Sequence, residues 1–180
     1  MASPSLPDEQ RVADLRAALP AVGASGGFAP SIYLNTGTAG PLPAETAAAI
    51  ASVAERETTV GRAAPVRFET TLQRLDEARA AVAAVLHADL GTIALTHSTT
   101  EGLTIGAWGI DWRAGDVAVT SSLEHVALLG TLARLRERFG VEIRIVEAGR
   151  GEDEAAILAG FERAIDARTR LVAVSHVAWS

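Results

Sequence analysis

Hydrophobic and polar positions follow a helical period in the first half of this chain. Over residues 66–87, apolar side chains recur every three or four positions, which places them on one face of an α-helix; they are Phe68, Leu72, Leu75, Ala78, Val82 and Val85. Further helices are predicted at 8–19, before Pro20, and at 44–59, where Ala and Glu dominate. A short apolar run predicts a strand at 31–34.

In the second half, short apolar runs alternate with helical segments. Strands are predicted at 92–96, 116–120, 141–146 and 171–174, and helices at 99–107, 124–139 and 152–166. Strands that alternate with helices need crossover connections, so we expect an α/β fold with a mostly parallel sheet flanked by helices.

The same pattern suggests how the chain is divided. Residues 1–30 are predicted to form an N-terminal helix and loop arm, and residues 31–180 an α/β domain. The last predicted strand is followed almost at once by Ser180, so we expect this domain to be incomplete, with its C-terminal remainder absent.

The first polar junction between a strand and a helix has the sequence THSTTEG at 96–102. Ser98 and Glu101 fit the S/T-x-x-E capping box, which makes Ser98 the N-cap. The backbone N–H groups of Thr99 and Thr100 then point off the helix end, where the helix dipole adds partial positive charge. Such an end suits a phosphate group, and it equally fits a well-capped helix that binds nothing.

The second junction has the sequence SSLEH at 121–125. Ser121 and Glu124 fit another capping box, which would place His125 in the first helical turn. An imidazole at this edge of the sheet could stack on a flat ring or transfer protons near neutral pH. The alternative is a partly exposed surface histidine without a ligand.

Composition limits the functions that this chain can have. Its 180 residues carry a formal net charge of -6, which argues against a nucleic-acid partner. No apolar run approaches the roughly 18 residues of a membrane span, and the first residues do not resemble a secretory signal. Cysteine is absent, and no histidine pair has metal-ligand spacing, so no metal site is expected. These features predict a cytoplasmic protein without a membrane partner.

All 16 basic residues are arginines, and the chain contains no lysine. Whatever the cause, no side chain here can form a Schiff base with an aldehyde cofactor.

Four segments together resemble a known family. They are YLNTGTAGPLP at 33–43, THSTTEG at 96–102, SSLEHVALL at 121–129 and the segment 169–180, which ends in VSHVAWS. Their sequences and their order along the chain are similar to those of class V aminotransferase-like, fold-type I enzymes that depend on pyridoxal 5'-phosphate (PLP). The sequence NTGTAGP at 35–41 is similar to that of the isopenicillin N epimerase-like and cysteine desulfurase-like branches, and the resemblance to the family covers about residues 31–180.

The resemblance implies roles for particular residues. Ser98, Thr99 and Thr100 would hold the PLP phosphate, and His125 would face the cofactor ring. Asn35, Thr36 and Thr38 would lie near an amino acid or amine substrate. Trp179 stands about where many members carry Asn, which makes desulfurase-type chemistry less secure.

The family's cofactor-bound lysine has no counterpart in this chain, and three alternatives follow. The chain is the N-terminal portion of an enzyme that dimerises when full-length, a non-catalytic truncated paralogue, or half of a split enzyme. A further alternative is an unrelated α/β domain that binds phosphate.

Overall fold

The computed structural model of the chain describes residues 8–23, 26–27, 32–37, 39–63 and 65–178. The chain forms two compact units, Met1–Gly91 and Thr92–Ser180. The sequence predicted a boundary after residue 30, between an arm at 1–30 and a domain at 31–180. This division stays a prediction. No helix among the described residues is long and apolar enough to cross a bilayer.

The first unit is helical in its described part. It contains α1 (Glu9–Ala18), α2 (Ala44–Thr59) and α3 (Pro65–Leu86), with a 3-10 turn at Pro20–Val22 and another, at Leu90–Thr92, that spans the unit boundary. All three predicted helices are confirmed to within two residues at each end. The apolar face predicted on α3 is largely exposed, with Phe68 at 70% and Val85 at 78%.

Two predicted strands are wrong. Residues 32–34 and 93–96 have no regular structure, and residue 31 lies outside the described residues. The physical reason is that a strand forms only where a neighbour takes up its backbone hydrogen bonds. In the described part of the chain, neither segment pairs with the sheet.

The second unit is a parallel sheet between helices. Its elements are α4 (Thr99–Trp108), β1 (Val117–Ser121), α5 (Val126–Phe139), β2 (Glu142–Val146), α6 (Glu154–Ala164) and β3 (Thr169–Val172). The strand order is β2-β1-β3, with β1 parallel to both neighbours. The predicted α/β class is therefore confirmed, since helices α5 and α6 form the crossovers that parallel strands need.

The core lies on both faces of β1, whose five residues are all buried. Ala118 faces a cluster that includes Leu132 and Leu135 of α5. Val117 and Val119 face the other way, where Val146 is buried and Phe161 of α6 packs on the cluster. Because successive side chains of a strand point to opposite faces, one apolar strand supplies both layers.

Charged side chains cross-link one edge of this sheet, where β2 and β3 begin. Arg144 donates from Nε to Glu142 Oε1 at 2.8 Å and from Nη2 to Asp166 Oδ2 at 3.0 Å. The backbone N–H of Arg168 and the Arg144 guanidinium hold the pKa of Asp166 below its usual range. The hydrogen bond from Arg144 also lowers the pKa of Glu142.

Truncation of the α5 core should destabilise the protein. Leu132 is 1% exposed, so Leu132→Ala should cost about 2–5 kcal/mol of unfolding free energy through lost burial and a residual cavity. Leu158→Ala is the matched control, because Leu158 is 56% exposed on α6 and its loss should cost about 0.5 kcal/mol or less. Urea unfolding measures both values, and equal losses would contradict the assignment of the core.

The ion network predicts a pH-dependent stability. A carboxyl group with a lowered pKa stabilises the fold above its unfolded pKa, about 4, and loses that contribution as pH falls through its folded pKa. Asp166→Asn should therefore lower the unfolding free energy at about pH 7 and match the wild type in strong acid. Urea unfolding across this range is the measurement. A difference that persists unchanged in acid would show that the carboxylate charge is not the cause.

Candidate functional site

The N-termini of α4 and α5 face the same way. Thr104 Oγ1 of α4 lies 3.3 Å from Thr131 Oγ1 of α5. Further along, the Trp108 and Phe139 rings, at the last residues of the two helices, meet edge to face with centroids 5.7 Å apart. Because these contacts follow the same order along both helices, α4 and α5 run parallel. Both N-termini therefore lie on the side where β1 ends, which is where α/β proteins bind ligands.

The start of α4 is capped as predicted. Ser98 Oγ accepts the N–H of Glu101 at 3.1 Å, which confirms Ser98 as the N-cap. The Glu101 carboxylate reaches past the cap and accepts the His97 N–H at 2.6 Å. This backbone hydrogen bond, with the His97 side chain, lowers the pKa of Glu101. The carboxylate is therefore held on the residue that precedes the cap.

The next two residues leave polar groups exposed at this helix end. Thr99 and Thr100 are both exposed. Neither backbone N–H donates to an acceptor among the residues that the structure describes. Two N–H groups at the positive end of a helix are suited to an anion such as a phosphate. The phosphate-binding role of Ser98, Thr99 and Thr100 stays a prediction.

The second predicted capping box is wrong. Ser121 is the last residue of β1, paired with Val146 of β2, and helix α5 begins only at Val126. The parallel pairing keeps Ser121 extended, since the following N–H, of Ser122, donates to Val146 O at 2.9 Å. The turn therefore comes later than predicted, and His125 takes the cap position.

His125 is itself the N-cap of α5. Its Nδ1 accepts the N–H of Ala127 at 3.1 Å, and the side chain is exposed. Because Nδ1 is an acceptor, the neutral ring carries its proton on Nε2. His125 thus presents an imidazole of defined tautomer at the edge shared with the start of α4. Its role toward a cofactor ring stays a prediction.

The residues predicted near the substrate lie in the first unit. Asn35 and Thr36 are exposed, and Thr38 lies outside the described residues. The Tyr33 hydroxyl is 2.8 Å from Asn35 O and 2.7 Å from Ala39 O, so it bridges the two ends of this turn. The substrate role of these residues stays a prediction.

The sequence did not predict the hydrogen bonds that Glu124 makes. Instead of capping a helix, its buried carboxylate binds Ser175, which follows β3. Ser121 donates its hydroxyl to the same carboxylate at 2.9 Å. The only sequence signal was an acidic residue between a predicted strand and a histidine. The sequence around Glu124 does not indicate its partner Ser175, which is 51 positions away.

The sequence matches a known protein family over most of its length. The family model Aminotransferase class-V matches residues 32–178. A probable cysteine desulfurase from Methanothermobacter thermautotrophicus is 34% identical over 149 residues, which cover 81% of this chain and 36% of the relative. A probable cysteine desulfurase from Pyrococcus abyssi is 35% identical over 108 residues, or 58% of this chain and 26% of the relative.

Solved structures show the same fold. A C-DES variant with glycine covalently linked to its PLP cofactor matches with a TM-score of 0.79 at 28% identity, over 97% of this chain and 42% of that one. The cystine C-S lyase C-DES with its product cysteine persulfide also gives a TM-score of 0.79, at 27% identity, over 86% of this chain and 40% of that one.

This chain belongs to the class V aminotransferase family, as its resemblance to that family implied. It spans 36% of the length of the Methanothermobacter relative and 42% of the length of the C-DES chain.

The cap of α4 can be tested by substitution. Ser98→Ala should cost about 1 kcal/mol of unfolding free energy, because the Glu101 N–H loses its acceptor. Ser98→Asp keeps a side-chain oxygen in place and should cost little. Urea unfolding of both variants is the measurement, and an Ala variant as stable as the wild type would contradict a capping role for Ser98.

Proposed function

We propose that this chain supplies the phosphate- and ring-binding part of a PLP-dependent enzyme that acts on a small amino acid or amine. The observation that carries the proposal is the shared edge of the second unit. There the exposed N-terminus of α4 lies on the same side as His125 of α5. Family membership supports PLP as the ligand of this edge, because C-DES, a structural neighbour, carries PLP.

The residues at this edge fit the cofactor. The N–H groups of Thr99 and Thr100 would hold the phosphate, with Ser98 fixing the helix end that presents them. His125 would face the ring, and its neutral tautomer carries the proton on Nε2 because Nδ1 accepts the Ala127 N–H. When bound, PLP supplies an electron sink for bonds next to a substrate amine.

Substrate binding is assigned to the segment 35–38. Asn35, Thr36 and Thr38 would contact an amino acid or amine substrate. Cysteine and cystine are the first substrates to test, because the relatives are described as cysteine desulfurases and a cystine C-S lyase. Trp179, which replaces an Asn common in the family, lies outside the described residues.

Catalysis by this scheme needs a lysine from another part of a longer chain or from another chain. None of the 180 residues is a lysine, so this chain binds the cofactor without a covalent bond. We propose that the full-length protein is a homodimer. The location in the cytoplasm stays a prediction.

A second candidate function is favoured by the same absence. A chain without lysine could serve as a binding module that holds PLP or another organic phosphate and catalyses nothing. The two functions share the α4 phosphate site, and they differ in whether a lysine-bearing segment completes it.

Titration with PLP tests the proposed site. We expect PLP to bind more tightly than either pyridoxal or inorganic phosphate, because the site contacts both the phosphate and the ring. Isothermal titration calorimetry of the chain with each compound is the measurement. Equal affinities for PLP and inorganic phosphate would leave an unspecific anion site and contradict the proposal.

A charge variant separates binding from folding. Ser98→Asp keeps the cap and should weaken PLP binding about tenfold or more, because its carboxylate repels the phosphate. The matched control is Ala167→Asp, which adds the same charge before β3, at the opposite edge of the sheet, and should bind PLP like the wild type. Equal effects of the two variants would place the phosphate elsewhere.

The lack of lysine predicts the activity of the chain by itself. With PLP and cysteine, we expect no more sulfide release than from free PLP and cysteine, because no lysine is present to attach and exchange the cofactor. A sulfide assay with and without the chain measures this. Rapid turnover by the chain alone would overturn the assignment of catalysis to a lysine outside it.

A further inference from the structure

The Glu124 carboxylate ties together two segments of the second unit that are distant in sequence. It is 5% exposed and lies in the turn after β1. Ser175, which follows β3, donates its N–H to Oε1 at 2.9 Å and to Oε2 at 3.1 Å. The Ser175 hydroxyl donates to Oε2 at 2.7 Å, and the Ser121 hydroxyl to Oε1 at 2.9 Å.

Such a buried carboxylate needs these donors. Removal of a carboxylate from water is costly unless hydrogen bonds replace the lost hydration. Here the Ser121 and Ser175 hydroxyls and the Ser175 N–H point at its two oxygens, which gives short contacts of the charge-assisted kind. Loss of the carboxylate would leave the Ser175 N–H and hydroxyl without their acceptor, so the segment after β3 would lose its attachment to the turn.

The other side of the same turn is attached to β2. Ser122 donates its N–H to Val146 O at 2.9 Å, and its hydroxyl accepts the N–H of Ala148 at 3.0 Å. The turn between β1 and α5 is therefore bound to the carboxyl ends of both neighbouring strands. His125 is the next residue after Glu124 and caps α5 from the end of this turn.

We propose that Glu124 is a positioning residue that fixes His125 and the Ser175 segment at the ligand edge of the sheet. This inference rests on the proposed PLP site. Glu124 acts by holding the backbone from which the imidazole projects. With the turn fixed, the His125 Nδ1 stays on the Ala127 N–H, and the ring presents Nε2–H in a constant orientation.

The test compares Glu124→Gln and Ser175→Ala with the wild-type chain. Glu124→Gln keeps the size of the side chain and replaces one acceptor oxygen by a donor. Ser175→Ala removes only the hydroxyl bond and leaves the Ser175 N–H attached, so it remains informative if the first variant folds poorly. Glu162→Gln, on the exposed surface of α6, is the matched control.

Three readouts are measured on folded protein well below the melting temperature. Titration calorimetry gives PLP affinity, which should fall about tenfold in Glu124→Gln, on the scale seen when partners behind a ligand-holding residue are lost. Ser175 amide exchange should accelerate at least about tenfold. The imidazole nitrogen NMR spectrum of the neutral His125 ring should change from the Nε2–H form to mixed tautomers.

The tautomer spectrum separates positioning from general stability, because a folded protein that is merely less stable would keep the wild-type signature. Ser175→Ala should change all three readouts in the same direction and by less, and Glu162→Gln should change none. A folded Glu124→Gln variant with wild-type PLP affinity and an unchanged His125 spectrum would overturn the inference.

Failure of the proposed function would look different. If the wild-type chain itself does not bind PLP, the proposed cofactor site is wrong. The exchange and tautomer readouts then decide the role of Glu124 without the cofactor: changes in both support positioning, and wild-type values in the variant overturn it.

Discussion

The burial of β1 is the constraint on which the second unit depends. Its residues contribute to apolar clusters on both faces, so every polar function of this strand is displaced to its ends. Even the Thr120 hydroxyl is used internally, since it donates to Ala173 O at 2.8 Å. The polar side chains next to this strand therefore lie in the turn that follows Ser121.

The polar groups at the two edges of the sheet have different partners. Where β2 and β3 begin, arginines and carboxylates neutralise one another at the surface, so that edge is saturated with ion pairs. Where β1 ends, the polar groups of Ser121, Ser122 and Glu124 form the hydrogen bonds that hold the turn. At that edge Thr99, Thr100 and His125 are exposed, and this contrast supports our proposal of a ligand there.

Local patterns predicted this fold to different depths. Helix α3 follows from a period that is complete within its segment, and helix α2 from the helix propensity of Ala and Glu. Ser98 follows from a capping motif four residues long. The false strand at 93–96 shows the limit of such patterns, because an apolar run does not encode whether a neighbouring strand is present. The exposed face of α3 shows the same limit, since periodicity does not encode what covers a helix.

The misplaced start of α5 has a more instructive cause. The motif at 121–124 satisfies the capping pattern locally, yet β2 competes for the same backbone by pairing with Ser121. Ser121 pairs with β2 instead of capping a helix, because this pairing extends a buried strand. The Glu124 carboxylate then accepts hydrogen bonds from Ser175. The buried Glu124 beside His125 is thus the result of a local capping motif that the pairing of the sheet overrides. For that reason local sequence patterns did not predict that His125 caps α5.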